Sequence, residues 1–311
     1  MIKQRPEDFI VEEIIDLDTE PGNYLYIKLT KKNWNTLDII RKLQTTLHCR
    51  ASDIGFAGIK DKKAVTTQYI SLRNIKKEQI ENIKIKDVSL EVLHYASKPI
   101  YKGSLKGNKF KIKCSEKPSC IPFMENYFGE QRLSKNNAEV GKAIIQKDYK
   151  KASHLIQGDL KKKQGLPFLK SLEKNILSLY IAAFQSELWN RVASFYIQKK
   201  NSDARITKSL AFTQKKIKNI EIPLLAFDTE FTNEEIEELY KKEMEKEGIS
   251  LKDFIFRSFP DLMGSSITRS LFVEVQDCKV EGNWISFSLP KGSYATIAIR
   301  KIETYLRDAE V

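Results

Sequence analysis

The sequence predicts an α+β fold in which a helical insertion interrupts a domain whose sheet is built from both termini. Near each end of the chain, apolar and polar residues alternate, which is typical of half-buried strands. Between these ends, apolar residues recur at three- and four-residue intervals, which is typical of amphipathic helices. The 311 residues also exceed the usual size of a single domain. One large core with an insertion, or two domains, is therefore expected.

Strands and helices follow one another in the N-terminal part of the chain. Leu25, Ile27 and Leu29 alternate with other side chains, as on a strand with one buried face. The next segment has helical spacing, and Thr36 is its predicted N-cap. In chain order, the predicted elements are strands over DFIVEEI and NYLYIKLTKK, a helix over LDIIRKLQTTLHC, a strand over AVTTQYISL, a helix at 76–83 and a strand at 88–95.

The second half of the chain is predicted to be helical before it returns to strands. Helical periodicity covers residues 138–157 and 172–197. A further helix is predicted to begin at Thr232, whose hydroxyl would form a capping box with Glu235. The segments SLFVEVQDCKV, WISFSLP and GSYATIAIRKI are predicted C-terminal strands.

The composition favours a nucleic-acid partner. Lysine and arginine number 53 against 41 acidic residues, which gives a net charge of +12 and an isoelectric point near 9.3. A basic globular protein of this kind most often neutralises phosphates. General solubility in a lysine-rich proteome is the alternative, and composition leaves it open.

Cysteine and histidine usage predicts neither a structural zinc site nor a disulfide framework. The four cysteines, at positions 49, 114, 120 and 278, lack CxxC spacing, and only three histidines are present. Isolated thiols fit a reducing cytosol. The N-terminus lacks the apolar core of a signal peptide, and no apolar run reaches the length of about 18 residues expected of a membrane span. The predicted location is the cytoplasm.

The segment FAGIKDKKAVTTQ, residues 56–68, is the first candidate functional segment. A single carboxylate, Asp61, stands in a basic run on a predicted turn between an apolar approach and a strand. On spacing alone, such an acid is usually a solvated loop residue in weak ion pairs. Flanking cations would keep it ionised, and Gly58 would allow another chain to come close. Asp61 is therefore a candidate acid that acts on a polyanion.

Two further segments combine polar and aromatic residues. In ENYFGEQR, Tyr127 and Phe128 stop at Gly129, and such aromatics either fill the core at a turn or support an unstacked base. Asn126 could read a base edge or hold a carboxylate. The alternating lysines at 109, 111 and 113 form either an RNA-facing stripe or a solvated sheet face.

Five segments occur in one chain order: IKQRPEDFIVEE, GIKDKKAVTTQ, LKGNKF, NYFGEQR and LPKGSYATIAIRKI. Together they resemble the motifs of the TruD family of pseudouridine synthases. The resemblance implies a pseudouridine-synthase catalytic domain at residues 1–154 and 263–311, with a mixed, mainly antiparallel sheet. It also implies a short, largely helical TruD-type insertion domain at residues 155–262.

The resemblance also implies roles for individual residues. One departure from the family pattern is Leu133, where an aromatic commonly follows Gln-Arg. The implied site side chains are expected to converge on the turn at 58–61. They are Asp61 as nucleophile or base, Lys3 to orient it, Asn126 in the active site, Phe128 to stack on the base, Tyr294 to line the pocket, and Lys60 and Arg132 as further substrate-binding candidates.

The implied activity is isomerisation of uridine, best known at position 13 of tRNA, without a cofactor or metal. This agrees with a sequence that has no phosphate-binding loop or dinucleotide fingerprint. tRNA is the implied partner; further RNA substrates are left open, and neither a membrane nor an obligate protein partner is expected. Whether Asp61 attacks C1′ or abstracts a ribose proton is also left open.

Two other classes of function fit part of the sequence. A non-catalytic RNA-binding or RNA-folding protein would use the same basic charge and aromatic turns, and Asp61 would then be dispensable. A metal-dependent RNA hydrolase requires clustered acids at a metal. No such cluster stands out in the sequence.

Overall fold

A computed structural model describes residues 5–133, 136–158 and 164–306 of the chain. Lys3, the predicted partner of Asp61, lies outside the described residues. The chain forms two compact units. The first unit comprises Met1–Pro122 and Glu274–Gly292, and the second comprises Phe123–Val273 and Ser293–Val311.

The secondary structure alternates strands and helices, with the longer helices in the second unit. The strands are β1 (Phe9–Ile14), β2 (Tyr24–Lys32), β3 (Ile54–Phe56), β4 (Val65–Arg73), β5 (Val88–Ala96), β6 (Gly107–Lys113), β7 (Phe123–Glu125), β8 (Arg205–Thr207), β9 (Leu210–Phe212), β10 (Glu221–Leu224), β11 (Ile267–Ser270), β12 (Phe272–Glu274), β13 (Gln276–Glu281) and β14 (Trp284–Pro290). The helices are α1 (Thr36–Leu47), α2 (Lys77–Glu81), α3 (Glu130–Leu133), α4 (Asn137–Ile145), α5 (Tyr149–Gln157), α6 (Leu166–Leu169), α7 (Lys174–Lys200), α8 (Glu234–Glu247) and α9 (Ala295–Leu306).

The first unit is built on one eight-stranded sheet. Its strand order is β13-β14-β6-β1-β4-β2-β5, and β3 pairs with β4 beside this path. The pair β1–β4 is parallel, and the other pairs in this sheet are antiparallel. Because β1 comes from the N-terminal part of the chain and β14 from the C-terminal part, the predicted mixed, mainly antiparallel sheet built from both ends is confirmed.

Alternation along β2 positions the core of the first unit. Leu25, Ile27 and Leu29 are fully buried and belong to one cluster with Ile39 and Leu43 of α1. Residues two apart on a strand share a face, so the next position on this buried face is residue 31. A lysine occupies it.

The second unit is mainly helical, and its central element is α7, which has 27 residues. Trp189 and Leu188 of α7 are fully buried. The short pairs β8–β9 and β10–β11 accompany the helices. Within the described residues, no helix combines the length and apolarity needed to cross a membrane.

The predicted caps of α1 and α8 are each wrong by one residue. Helix α1 begins at Thr36 and its N-cap is Asn35, because the Thr36 hydroxyl is buried and bonds to other core groups. Helix α8 is capped by Asn233, whose Oδ1 accepts bonds from the backbone N–H groups of Glu235 at 3.0 Å and Ile236 at 3.2 Å. Asparagine is among the best N-caps, and it stands one residue after the predicted Thr232.

The predicted last strand is a helix. Residues 295–306 form α9, in which Ala295, Ala298, Ile299 and Ile302 are buried. Their spacing of three, one and three residues is that of one helix face. The segment GSYATIAIRKI looks like a strand because isoleucines and alanines also alternate within it.

The cysteines are not all isolated thiols. Cys120 and Cys278 form a disulfide that closes a separation of 158 residues, whereas Cys49 and Cys114 remain thiols. The prediction of isolated thiols is therefore wrong for this pair. The prediction was based on the spacing of the cysteines in the sequence. These two cysteines are far apart in the chain, and folding places their Cα atoms 5.8 Å apart.

We expect reduction of this disulfide to lower the free energy of unfolding by about 2–5 kcal/mol, because the crosslink closes a long loop in the unfolded chain. Urea unfolding with and without a thiol reductant measures the change. In the Cys278→Ser variant the reductant should have no such effect. Equal stability of the oxidised and reduced wild-type chains would contradict this expectation.

Candidate active site

Asp61 lies in the loop that joins β3 to β4 in the first unit. Its side chain is partly buried, whereas Lys62 and Lys63 are exposed and Ala64 is buried. We call residues 58–61 the Asp61 turn. Asp61 is therefore less exposed than the solvated loop acid that spacing alone suggests.

Buried polar side chains hold the backbone of the Asp61 turn. The Gln68 side-chain amide donates to the carbonyl of Gly58 at 3.3 Å. The Thr36 hydroxyl accepts the backbone N–H of Lys60 at 3.1 Å and donates to Gln68 Oε1 at 2.9 Å. Thr36 and Gln68 are both fully buried. Buried polar groups are stable when they are hydrogen-bonded, and here those bonds fix the turn.

The side chain of Lys60 forms a buried charge cluster. Its Nζ lies 2.8 Å from Glu13 Oε1 and donates to Asn108 Oδ1 at 2.7 Å. The Glu13 side chain is fully buried and that of Lys60 is 7% exposed. The other carboxylate oxygen of Glu13 accepts the backbone N–H of Tyr69 at 3.2 Å. This ammonium group is thus bound to β1 and β6, which favours a positioning role over the predicted RNA contact.

Lys31 contacts the Asp61 turn directly. Its side chain is fully buried, and its Nζ donates to the carbonyl oxygens of Trp34 at 2.7 Å and Asp61 at 2.8 Å. A longer bond of 3.4 Å reaches the carbonyl of Lys60. Burial lowers the pKa of Lys31 from 10.5 to about 8; the charge of Asp61 raises it and that of Lys60 lowers it further.

In the second unit, Asn126 and Phe128 follow β7, and both residues are buried. The backbone N–H of Asn126 donates to the carbonyl of Leu271 at 2.8 Å. The backbone of Phe128 is bonded in both directions by the Asn190 side chain, at 2.8 and 2.9 Å. The ring of Phe128 meets that of Trp189 edge-to-face at 5.7 Å. Both side chains are therefore held by α7 and the β11–β12 region.

Arg269 connects Asn126 with Phe128. Its guanidinium lies over the Phe128 ring, 4.1 Å from the centroid, within the usual range of a cation–π contact. It also donates to the carbonyl of Asn126 at 2.7 Å and to Asn126 Oδ1 at 2.6 Å. Burial lowers the pKa of Arg269 to about 10; Tyr294 opposes this change and Arg132 adds to it. The same Asn126 oxygen accepts the Ser293 hydroxyl at 3.1 Å.

Tyr294 and Arg132 complete this group in the second unit. The Tyr294 ring lies 6.3 Å from that of Phe128, and the Arg132 guanidinium carbon lies 5.8 Å from the Phe128 centroid. A Cβ on Gly129 would come within 2.8 Å of the Tyr294 ring, so the Tyr294 position depends on glycine there. Burial raises the pKa of the Tyr294 hydroxyl, against the charges of Arg132 and Arg269. We call Asn126, Phe128, Arg132, Arg269 and Tyr294 the Phe128 cluster.

The predicted site residues thus fall into two groups. Asp61 and Lys60 belong to the first unit, whereas Asn126, Phe128, Arg132 and Tyr294 belong to the second and surround one another. The predicted convergence of these groups on the Asp61 turn stays a prediction.

Sequence reasoning did not single out Lys31, Glu13 and Arg269. Lys31 and Glu13 each carry a charge at a strand position that alternation assigns to the buried face, and this is the signal that could have found them. Arg269 stands in a short strand that has no comparable pattern.

The mixed, mainly antiparallel sheet of the first unit and the helices of the second define an α+β protein. A crystal structure from Methanosarcina mazei, described as a candidate tRNA pseudouridine synthase D (TruD), has this fold: its TM-score is 0.68 at 22% identity, over 97% of this chain and 92% of that chain. This similarity confirms the predicted fold class.

Sequence comparison identifies the family. The sequence pattern of the family described as "TruD: tRNA pseudouridine synthase D (TruD)" matches residues 1–165 and 197–302. The "tRNA pseudouridine synthase D" of Aquifex aeolicus is 30% identical over 97% of both chains. The "Probable tRNA pseudouridine synthase D" of Archaeoglobus fulgidus is 27% identical over 96% of this chain and 93% of that protein. The chain therefore belongs to the tRNA pseudouridine synthase D family, and its predicted class, an isomerase, is confirmed.

Proposed function

We propose that this chain isomerises uridine 13 of tRNA to pseudouridine, with Asp61 as the catalytic carboxylate. The observation that carries the proposal is the Asp61 turn, where one partly buried acid is fixed by buried groups from α1, β2 and β4. Membership of the family supports the reaction, and the names of the relatives support tRNA as the substrate.

The chemistry of the reaction suits a single fixed carboxylate. Breaking the bond from N1 to C1′ builds positive charge on the sugar carbon, as in glycoside cleavage, where a carboxylate stabilises or captures that carbon. After the base turns and C5 bonds to C1′, a base must remove the C5 proton. Asp61 can serve in both steps. The hydrogen bonds to the Asp61 carbonyl and the Lys60 N–H hold the main chain of the turn, which orients the residue that carries the carboxylate.

The Phe128 cluster is proposed to hold the uracil and its nucleotide. Moving a base out of an RNA stack costs about a few kcal/mol of free energy, and stacking that base on an aromatic side chain contributes about 1–3 kcal/mol in return. The Asn126 side-chain nitrogen donates one N–H to the carbonyl of Ser270 at 3.2 Å, and its second N–H is proposed to contact the base edge. Tyr294 is proposed to form a wall of the pocket, and Arg132 to contact a phosphate. Arg269 covers part of Phe128, so a stacked base would use the rest of the ring.

The remaining assignments follow from the family. Lys3 is proposed to orient Asp61, and Lys60 to position its turn. Residues 1–154 and 263–311 are proposed as the catalytic domain and residues 155–262 as the insertion. The match to the family pattern is interrupted at residues 166–196, which lie inside the proposed insertion, and this interruption supports the assignment. The basic surface is proposed to hold tRNA mainly through phosphates and shape, in the cytoplasm.

The reaction and its position are tested with tRNA transcripts that carry 5-tritiated uridine. The protein should release tritium from a transcript with uridine at position 13, and it should leave the matched transcript with cytidine there unchanged. Equal release from both transcripts would contradict the position. No release from either, with pseudouridine also undetectable, would contradict the reaction.

We expect Phe128→Leu to reduce the single-turnover rate more than tRNA affinity, because leucine retains apolar bulk but cannot stack like a phenyl ring. Because leucine retains more of the buried apolar volume than alanine, Phe128→Leu should cost less stability than Phe128→Ala. Phe128→Ala should in addition lose about 3–5 kcal/mol of stability. Rapid-quench assays and urea unfolding measure the two effects. A wild-type rate in Phe128→Leu would restrict Phe128 to a core role.

A further inference from the structure

We infer that Lys31 is a positioning residue for catalysis: its ammonium group holds the main chain of the Asp61 turn and thereby sets the direction in which the Asp61 carboxylate projects. The inference rests on the proposed catalytic role of Asp61 and extends it to a residue whose ammonium group donates to main-chain carbonyls of the turn. Lys31 itself is not expected to contact the reacting uridine.

The ammonium group of Lys31 links two segments of the main chain. One Nζ donates to the carbonyl oxygens of Trp34 at 2.7 Å and Asp61 at 2.8 Å, with a third, longer bond to Lys60. The Lys31 ammonium group therefore connects the segment just before α1 to the Asp61 turn. The opposite end of the turn is fixed by Gln68 on the Gly58 carbonyl. A hydrogen bond to the Asp61 carbonyl restricts the orientation of the peptide plane that begins at the Asp61 Cα, and this limits the directions of the Cα–Cβ bond.

The other buried lysines serve a different purpose. Lys60 and Lys301 each place their ammonium group near a carboxylate, at 2.8 Å from Glu13 and 3.2 Å from Glu125. Lys31 donates to main-chain carbonyls instead. It also occupies a strand position whose neighbours on the same face are the fully buried core residues Ile27 and Leu29. Since a buried charge opposes folding, an apolar residue would serve stability better there, and this points to a role in the site.

The charge of Lys31 is sensitive to pH near neutrality. Its pKa is lowered to about 8, mainly by burial, while Asp61 raises it and Lys60 lowers it. Among the described residues, these two are the charged groups that act on the ammonium. Above that pH the neutral amine donates weaker hydrogen bonds than an ammonium group. The hold on the Asp61 turn should therefore weaken as the pH rises through about 8.

As the pH rises, the contribution of Lys31 to the free energy of unfolding should increase while the reaction rate falls. This difference distinguishes a positioning role from a general structural role. In the unfolded chain Lys31 keeps its ordinary pKa of 10.5. Between about pH 8 and 10.5 the unfolded state binds more protons at this residue, so the contribution of Lys31 to stability rises with pH. Loss of rate in this window would therefore not reflect loss of fold at Lys31.

The experiment measures single-turnover tritium release and urea stability from pH 6 to 9.5 for wild type, Lys31→Met, Lys31→Arg and Lys32→Met. We expect the wild-type rate to fall above about pH 8 without a matching loss of stability. Lys31→Met should lose about 10-fold or more in rate with tRNA affinity unchanged, as expected when a catalytic group is misplaced. Lys31→Arg should recover part of the rate and lack the fall near pH 8, because arginine stays charged. Lys32→Met, which removes a partly exposed charge paired with Glu7, should resemble wild type.

Two outcomes would overturn the inference. One is a wild-type rate and pH profile in a folded Lys31→Met chain. The other, which needs no variant, is a wild-type rate that shows no fall between pH 8 and 9.5. If instead Asp61→Asn were fully active, the proposed function itself would fail, so the two failures are distinguishable.

Discussion

Replacing Asp61 by asparagine is expected to abolish pseudouridine formation while tRNA still binds. In the proposed mechanism, the change removes both the negative charge that stabilises the sugar carbon and the base that takes the C5 proton. We expect a rate loss of at least about 10³-fold, in line with the loss of a catalytic acid–base or nucleophilic group. Single-turnover tritium release measures the rate, and filter binding measures tRNA affinity.

The fold of the Asp61→Asn variant should remain intact. Lys31 binds the carbonyl of residue 61, which the substitution retains. Asp16→Asn is a matched control, because Asp16 is 77% exposed and pairs with the surface residue Lys106. Turnover by Asp61→Asn within tenfold of wild type would remove Asp61 from the reaction and revive the non-catalytic role for this turn.

Glu13→Gln is expected to cause a large loss of stability. The substitution keeps the shape of the side chain but leaves the Lys60 ammonium buried beside a neutral amide. Breaking a buried ion pair in this way costs about 3–5 kcal/mol. Urea unfolding measures the change. Activity should also fall, because Lys60 belongs to the Asp61 turn.

The neighbouring residue supplies the control for this prediction. Glu12 points to the other face of β1 and pairs with Lys28 at 3.3 Å, with 43% of its side chain exposed. Glu12→Gln should cost no more than about 1 kcal/mol, as for surface pairs. In the double variant Glu13→Gln/Lys60→Met much of the loss should be recovered, since no unpaired charge is left buried. Equal losses in the single and double variants would contradict a coupled pair.

The sheet of the first unit could be predicted because its strands carry clear alternation. Leu25, Ile27 and Leu29 mark one face of β2, and Phe110 and Ile112 mark one face of β6. Its strand order could not be predicted from these patterns, because pairing between distant segments depends on the whole fold. The family resemblance implied only that the sheet is mixed and mainly antiparallel. Helix α9 was misread because isoleucine and alanine fit either period over so short a segment.

The chemistry-bearing residues were only partly predictable. Asp61 attracts attention because it is one acid among lysines, and the motif resemblance assigns it a role. Its supports, Thr36, Gln68 and Lys31, are dispersed in sequence, and their contacts depend on the packing of α1 against β2 and β4. Thr36 was predicted as a cap, since its local pattern fits one. The buried bonds that it makes instead arise from tertiary structure.

The disulfide illustrates the same limit. Cys120 and Cys278 are separated by 158 residues and lie in segments that share no local pattern. Only the antiparallel pairing of β13 with β14, and of β14 with β6, accounts for bringing these parts of the chain into one unit. Sequence spacing therefore could not reveal the pair.

The central claim is that this chain forms pseudouridine 13 in tRNA through Asp61, and mapping that nucleotide in cells tests it most directly. tRNA is isolated from cells with the gene, without it, and without it but supplied with wild type or Asp61→Asn. Pseudouridine 13 should disappear on deletion and return with wild type only. Its persistence after deletion, or its return with Asp61→Asn, would contradict the claim.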